Sequence, residues 1–224
     1  GTLAQMCGNG VRCFAKYLVD RGFVQASDGQ FVADTLAGPK PISFEVDENE
    51  KMTRATVDMG HPILNPADVP VNASANAESE QGVAFAKDVA IDSPWGPFAF
   101  TCVSMGNPHA IVYVEHTDAL NLPAIGPAFE CHPAFPERTN TEFLEVLDRH
   151  TIKMRVWERG AGETLACGTG ACASLVASVL TGRSERTATL KLLGGDLEIQ
   201  WDAETDHVFM TGPADFVFDG DYPL

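Results

Sequence analysis

The sequence predicts an α+β fold, mostly antiparallel sheet, built as two related halves. Short alternating or β-branched runs recur along the chain and are separated by Gly, Pro, Asn and Asp turns. Two helical segments each follow a Cys-Gly-x-Gly motif, at Cys7 and, 160 residues later, at Cys167. A repeated motif followed by a similar helix indicates an internal duplication, so we expect an active site between the halves.

The first helix is predicted from apolar residues at helical spacing, with Gly22 as its stop. Its apolar positions are Val11, Phe14, Ala15, Leu18 and Val19, and the opposite, polar face holds Arg12, Lys16 and Asp20. The second helix, residues 171–181, contains no charged residue and is followed by Gly182. A helix that is apolar all round is expected to be buried by sheet on every side.

Ten runs are predicted as strands from their alternation or β-branched content. They are Pro41–Val46, Ala55–Met59, Phe98–Ser104, Ala110–Glu115, Thr141–Leu147, Ile152–Trp157, Ala188–Leu193, Leu197–Trp201, Val208–Thr211 and Phe216–Phe218. Residues 61–92 are irregular and Pro-containing, with a loop insertion at 71–82, and are expected to cross between the halves. We therefore place an N-terminal half at 1–60 and a C-terminal half at 61–212.

Composition excludes several classes of function. The net charge of −16 repels phosphate backbones and anionic membranes, so neither nucleic acid nor membrane is an expected partner. No apolar run approaches the roughly 20 residues of a membrane span. The six cysteines include no C-x-x-C pair and accompany no signal peptide, which indicates free thiols in the cytoplasm. The histidines show no metal-ligand spacing, and we expect no metal.

The paired Cys-Gly-x-Gly motifs predict acid–base chemistry at carbon. A cysteine at a helix N-terminus has its thiolate favoured, and glycines let an anion approach the free amides. Two such thiols facing each other could remove a proton from one face of a carbon acid and return one to the other face. The two helix N-termini would stabilise the intermediate carbanion through its carboxylate. No lysine lies in a pyridoxal-binding motif, and no hydrophobic strand leads into Gly168 as a dinucleotide site requires, so we expect no cofactor.

The motifs resemble those of the diaminopimelate epimerase family, essentially end to end. The resemblance is carried by residues 6–13 and 158–170, and by the segments 104–109, 138–140 and 210–214. It implies a cofactor-independent isomerase that interconverts LL- and meso-diaminopimelate in lysine and peptidoglycan-precursor synthesis. It also implies a cytoplasmic homodimer with a curved sheet around a central helix in each half. Family members have several tens of residues before the position of Gly1, so we expect the first half to be incomplete at its start and completed by 213–224.

The resemblance also assigns roles to individual residues. Cys7 and Cys167 are the acid–base pair, and His109 and Glu158 support catalysis, Glu158 also by contacting the substrate's α-ammonium group. The remaining substrate-binding residues are Gly8, Asn9, Gly168 and Thr169, at the reacting carboxylate, and Asn107, Asn140 and Arg159, at the distal amino acid group.

Two alternatives remain open at the level of sequence. The chain could be another two-thiol enzyme, such as a proline racemase or hydroxyproline epimerase relative. Asn107, Asn140 and Arg159, which we call the distal clamp, would then have no substrate group to bind. It could also be a truncated, inactive binding homologue, but both cysteines are present.

Overall fold

A computed structural model describes residues 7–220 of the chain. Three α-helices are present: α1 (Gly8–Asp20), α2 (Leu122–Glu130) and α3 (Gly168–Leu180). The strands are β1 (Gln30–Thr35), β2 (Gly38–Val46), β3 (Met52–Gly60), β4 (Ala77–Glu78), β5 (Ala84–Phe85), β6 (Val89–Ile91), β7 (Phe98–Ser104), β8 (Pro108–Tyr113), β9 (Asn140–Asp148), β10 (Thr151–Glu158), β11 (Gly162–Thr164), β12 (Thr187–Leu192), β13 (Gly195–Trp201) and β14 (Val208–Pro213). None of the helices in this range has the length and hydropathy of a membrane-spanning segment.

One 12-stranded mixed sheet contains all the strands except the β4–β5 hairpin, and it does not close on itself. Its order is β1-β2-β3-β14-β13-β12-β10-β9-β8-β7-β6, with β11 paired to β10. Only β8–β9 and β10–β12 are parallel among the pairs of this sheet, so the predicted antiparallel character is confirmed. Strand β14 pairs with β3 on one side and with β13 on the other.

The second predicted helix is α3, and its predicted burial is confirmed. Every residue from Gly168 to Ser178 is buried. The helix packs against β7, β8, β9, β12, β13 and β14, so the sheet wraps around it. Its apolar side chains join those of the strands in one core, in which burial on all faces leaves no place for a charged residue.

The first predicted helix is α1, but two of its side chains lie opposite to their predicted environment. Arg12 is buried, because it donates to the backbone carbonyls of Gly8 and Pro213. Phe14 is 47% exposed. Helix α1 packs on β3, β14 and α3, which bury Val11, Ala15 and Val19 as expected.

Nine of the ten predicted strands are present, and Phe216–Phe218 is wrong. These three residues form no strand and their side chains are exposed, because no neighbouring strand pairs with them. Strands β1 and β11 and the short strands β4 to β6 were not predicted from the sequence. Nor was α2, whose Pro123 occupies the first turn, where the missing N–H costs little.

Helix α2 is fixed to the sheet by Trp157 of β10. The indole ring lies directly on Gly126, where a Cβ atom would come within 2.1 Å of the ring. Its Nε1–H donates to Oε2 of Glu130 at 2.8 Å. Glycine is therefore required at position 126 by packing, although it lowers helix propensity.

We predict that Gly126→Ala destabilises the fold by about 1–3 kcal/mol, since the new methyl group displaces the Trp157 ring. Helix propensity alone would give the opposite sign, a stabilisation of roughly 1 kcal/mol. Urea unfolding followed by tryptophan fluorescence measures the difference. The control Ala128→Ser, at an exposed position of α2, should change the free energy of unfolding by no more than about 0.5 kcal/mol. A Gly126→Ala variant as stable as the parent would contradict the packing assignment.

Candidate active site

The first residues of α1 and α3 are in contact. A Cβ atom added to Gly168 would lie 3.4 Å from the Cα atom of Gly8 and 3.0 Å from Sδ of Met210. One added to Gly8 would lie 2.6 Å from Cε of Met210. The two glycines therefore allow the amide-rich ends of both helices to lie side by side above Met210. The helix dipoles make this region electropositive.

Cys7 and Cys167 cap these two helices in the same way. Their backbone angles are nearly equal, with φ −134° and ψ 104° at Cys7 and φ −126° and ψ 109° at Cys167. The Sγ atom of Cys7 accepts from the amide of Gly10 at 3.3 Å, and that of Cys167 from the amide of Gly170 at 3.4 Å. The similarity of the two caps agrees with the duplication inferred from the sequence.

The two thiols differ in environment. Cys7 is exposed, whereas Cys167 is buried. Burial raises the pKa of the Cys167 thiol well above its usual value, and the negative charges of Glu142 and Glu158 raise it further. Hydrogen bonds from Thr169 and the Gly170 amide oppose this shift without cancelling it. Cys167 therefore holds its proton at neutral pH.

Glu142 lies beside Cys167, and the sequence analysis did not identify it. Its Oε1 atom is 2.7 Å from Nδ1 of the fully buried His109, while its buried Oε2 atom has no hydrogen-bond partner in the described structure. A Cβ atom at Gly170 would lie 2.4 Å from Oε1, so this glycine makes room for the carboxyl group. Burial raises the pKa of Glu142, and His109 counteracts part of that increase. The available signal was its position: Asn140, Glu142 and Leu144 lie on the same face of one strand, so an acidic residue there is directed toward the same side as its buried neighbours.

His109, Glu142 and Cys167 could together hold a metal ion, since their donor atoms lie within 4.8 Å of one another. Both nitrogens of His109 already have partners, because Nε2 is 3.1 Å from Oδ1 of Asn107 and Nδ1 faces Glu142. An ion at His109 would therefore have to displace one of these two contacts.

The residues of the predicted distal clamp lie at neighbouring ends of strands β8, β9 and β10. His109 of β8 is the register partner of Asn140 of β9, and Arg159 directly follows β10, which runs antiparallel to β9. Asn140 is buried and joins the segments: its Nδ2 donates to the Pro108 carbonyl at 3.0 Å, and its Oδ1 accepts from the Arg159 amide at 2.9 Å.

Other predicted substrate-binding side chains form hydrogen bonds within the protein. The exposed Arg159 donates to the carbonyl of Glu137 at 2.8 Å. Glu158 is half-buried and accepts a hydrogen bond from the Thr164 hydroxyl. Asn9 donates to the carbonyl of Ala166 at 3.3 Å, which ties α1 to the residue before Cys167.

Arg12 is a second residue of this region that the sequence analysis did not place there. Its guanidinium donates to Oδ1 of Asn9 at 3.2 Å as well as to backbone carbonyls. Burial lowers its pKa from the usual arginine value, and nearby cysteines oppose the change. Arg12 thus orients Asn9 and the start of α1. The sequence did not indicate this role, because Arg12 is spaced with Lys16 and Asp20 on the predicted polar face of the helix.

Solved structures with the same fold include a probable proline racemase from Agrobacterium radiobacter K84. It is 15% identical, with a TM-score of 0.66, and the match covers 96% of this chain and 68% of that one. A PhzF-family phenazine biosynthesis protein from Bacillus anthracis is 17% identical, with a TM-score of 0.60, covering 95% of this chain and 74% of that one. At these identities the likeness concerns the fold alone.

The sequence relatives are much closer. A sequence model described as Diaminopimelate epimerase matches residues 101–217. The Diaminopimelate epimerase of Acetivibrio thermocellus is 54% identical over 224 residues, which is 100% of this chain and 76% of that protein. The protein of the same name from Methanococcus maripaludis strain S2 is 50% identical over 100% of this chain and 77% of its own length. The chain therefore belongs to the diaminopimelate epimerase family.

Proposed function

We propose that this isomerase interconverts LL- and meso-diaminopimelate through proton transfer by Cys7 and Cys167, without a cofactor. The observation that carries the proposal is the contact between two helix N-termini, each capped by a cysteine through the same Sγ to N–H hydrogen bond. The name shared by relatives at 54% and 50% identity supports the substrate.

The reaction needs one thiolate and one thiol. The thiolate removes the α-proton and becomes a thiol, and the electron pair moves into the substrate carboxylate. The second cysteine then donates its proton to the opposite face of the carbon and becomes a thiolate, which inverts the centre. The electropositive helix ends stabilise the negative charge that develops on the carboxylate.

The environment of Cys167 favours its protonated form as the starting state. The raised pKa of Cys167 supports its role as the proton donor in one reaction direction. The protonated Cys167 then loses its proton only when the substrate carbanion takes it. In the reverse direction the same burial opposes the thiolate at Cys167, and the helix dipole and the Gly170 amide reduce part of that effect.

Substrate recognition is proposed to use the residues assigned by the family resemblance. Gly8, Asn9, Gly168 and Thr169 would bind the reacting carboxylate at the helix N-termini. Glu158 would contact the α-ammonium group, and Asn107, Asn140 and Arg159 the distal amino acid group, with the exposed Arg159 gripping its carboxylate. His109, held by Glu142, would support Cys167.

The organisation of the whole protein also remains a proposal. A division into 1–60, completed by 213–224, and 61–212 is supported by the matching caps of α1 and α3. Residues 1–6 and 221–224 lie outside the described structure. A cytoplasmic homodimer is what family resemblance implies, and sedimentation equilibrium would test the dimer.

We predict that Cys7→Ser and Cys167→Ser each lower epimerisation by about 10²–10⁴-fold, since each removes one acid–base group. Proton NMR of LL-diaminopimelate in D2O under reductant follows loss of the α-proton and formation of the meso isomer. Cys13→Ser, at an exposed position of α1, is the matched control and should retain activity. A folded parent chain that exchanges no α-proton would instead support the inactive binding homologue. Turnover of proline in its place would support the racemase alternative.

We predict that Glu142→Gln lowers the pKa of Cys167, because the change removes a negative charge beside the thiolate. The ¹³Cβ shift of labelled Cys167, followed against pH, measures this pKa. The matched control is Glu145→Gln, which removes a negative charge from the same strand. The Glu145 carboxylate accepts hydrogen bonds from Thr117, and this variant should leave the Cys167 pKa unchanged. An unchanged or higher pKa in Glu142→Gln would show that Glu142 exerts no charge effect on the thiol.

A further inference from the structure

Two histidines meet at one corner of the sheet, outside the site described above. His61 directly follows β3, and His207 directly precedes β14. These strands are antiparallel neighbours, and Val208 is paired with Gly60, so the fold places the two imidazoles together. Their Nε2 atoms are 3.1 Å apart.

A carboxylate faces the other nitrogen of each ring. Nδ1 of His207 lies 2.8 and 2.7 Å from the two oxygens of Asp58, and Nδ1 of His61 lies 3.7 Å from Oδ2 of Asp206. A carboxylate that accepts from Nδ1–H leaves the lone pair of a neutral imidazole on Nε2. Nδ1 of His207 is within hydrogen-bond distance of Asp58, which places its lone pair on Nε2. The contact of His61 with Asp206 is too long for a hydrogen bond, so Nε2 of His61 can either donate to that lone pair or present a lone pair of its own. In the second case a cation between the two Nε2 atoms relieves their repulsion.

The two carboxylates are held in place by the surrounding protein. Asp58 also accepts from the amide of Gly60 at 2.9 Å. Asp206 has a φ of +60°, a conformation that costs energy for a residue other than glycine. It is kept there while its Oδ1 accepts from Nε1–H of Trp201 at 2.9 Å.

We propose that His61 and His207 bind a divalent transition metal ion of the class that prefers imidazole, such as Zn²⁺ or Ni²⁺. With metal–nitrogen distances of about 2.0–2.1 Å, the observed separation gives a nitrogen–metal–nitrogen angle of roughly 100°. This angle lies between octahedral and tetrahedral values. Asp58 takes the place of the carboxylate that orients a metal-bound histidine, and the charge of Asp206 lies near the other ring.

The surroundings allow an ion to reach the pair. The His61 and His207 side chains are 61% and 32% exposed, so water can complete the coordination. The negative charges of the two aspartates favour a cation. Lys40 opposes it, since its Nζ atom lies 3.4 Å from the carbonyl of Met59 on the same strand end. The site uses no residue of the proposed reaction and does not depend on that proposal.

Paramagnetic NMR tests the site on the full chain. Ni²⁺ added in substoichiometric amounts should broaden the ring ¹H–¹⁵N signals of His61 and His207 before those of the exposed His150. The variants His61→Gln and His207→Gln should each abolish the early broadening of the remaining partner, whereas the control His150→Gln should leave it intact. Asp58→Asn keeps both ligands and should weaken Ni²⁺ binding about 10–100-fold, as loss of an orienting carboxylate does.

Three results would overturn the proposal. One is broadening of His61 and His207 no earlier than that of His150. Another is retention of the Ni²⁺ affinity after either histidine is replaced. The third is broadening confined to residues around Cys7 and Cys167, which would place the ion on the thiols. Since the readout is binding and not turnover, an inactive parent chain would leave this test unaffected.

Discussion

The contact between Gly8 and Gly168 is the constraint on which the rest of the site depends. The N-terminal ends of the two helices can approach this closely only where no Cβ atom intervenes, and Met210 fills the space below both glycines. This contact fixes the separation of the two capping cysteines. It also brings together the first turns of both helices, whose leading backbone amides have no partner within the helix and can bind a carboxylate.

The two cysteines share a backbone geometry but not a dielectric environment. Cys167 is enclosed by the sheet that wraps α3, and the charges of Glu142 and Glu158 add to the effect of burial. Among the described residues, α1 packs against β3, β14 and α3, and Cys7 is exposed. The same motif thus lies in two different tertiary environments, which the motif alone could not distinguish.

Much of the fold could be predicted from local pattern. The uncharged run of α3 indicates burial, and the Cys-Gly-x-Gly repeat indicates both helix starts. The strands that the sequence did not reveal are short or, like β1, half-exposed. Phe216–Phe218 has strand propensity without a pairing partner, and propensity cannot supply one. Arg12 and Glu142 were missed because their burial depends on carbonyls and an imidazole that are distant in sequence.

Strand β14 has a consequence for how the protein acquires this structure. It lies between β3 and β13, so β3 keeps an unpaired edge until a segment nearly 150 residues further along the chain arrives. During translation that edge is open to other chains, and the early hairpin is at risk of aggregation. Closing so large a loop costs entropy, and long-range pairing of this kind is typical of slower folding. Met210 lies on this same strand, so the contact between the two helix N-termini is complete only once β14 has paired.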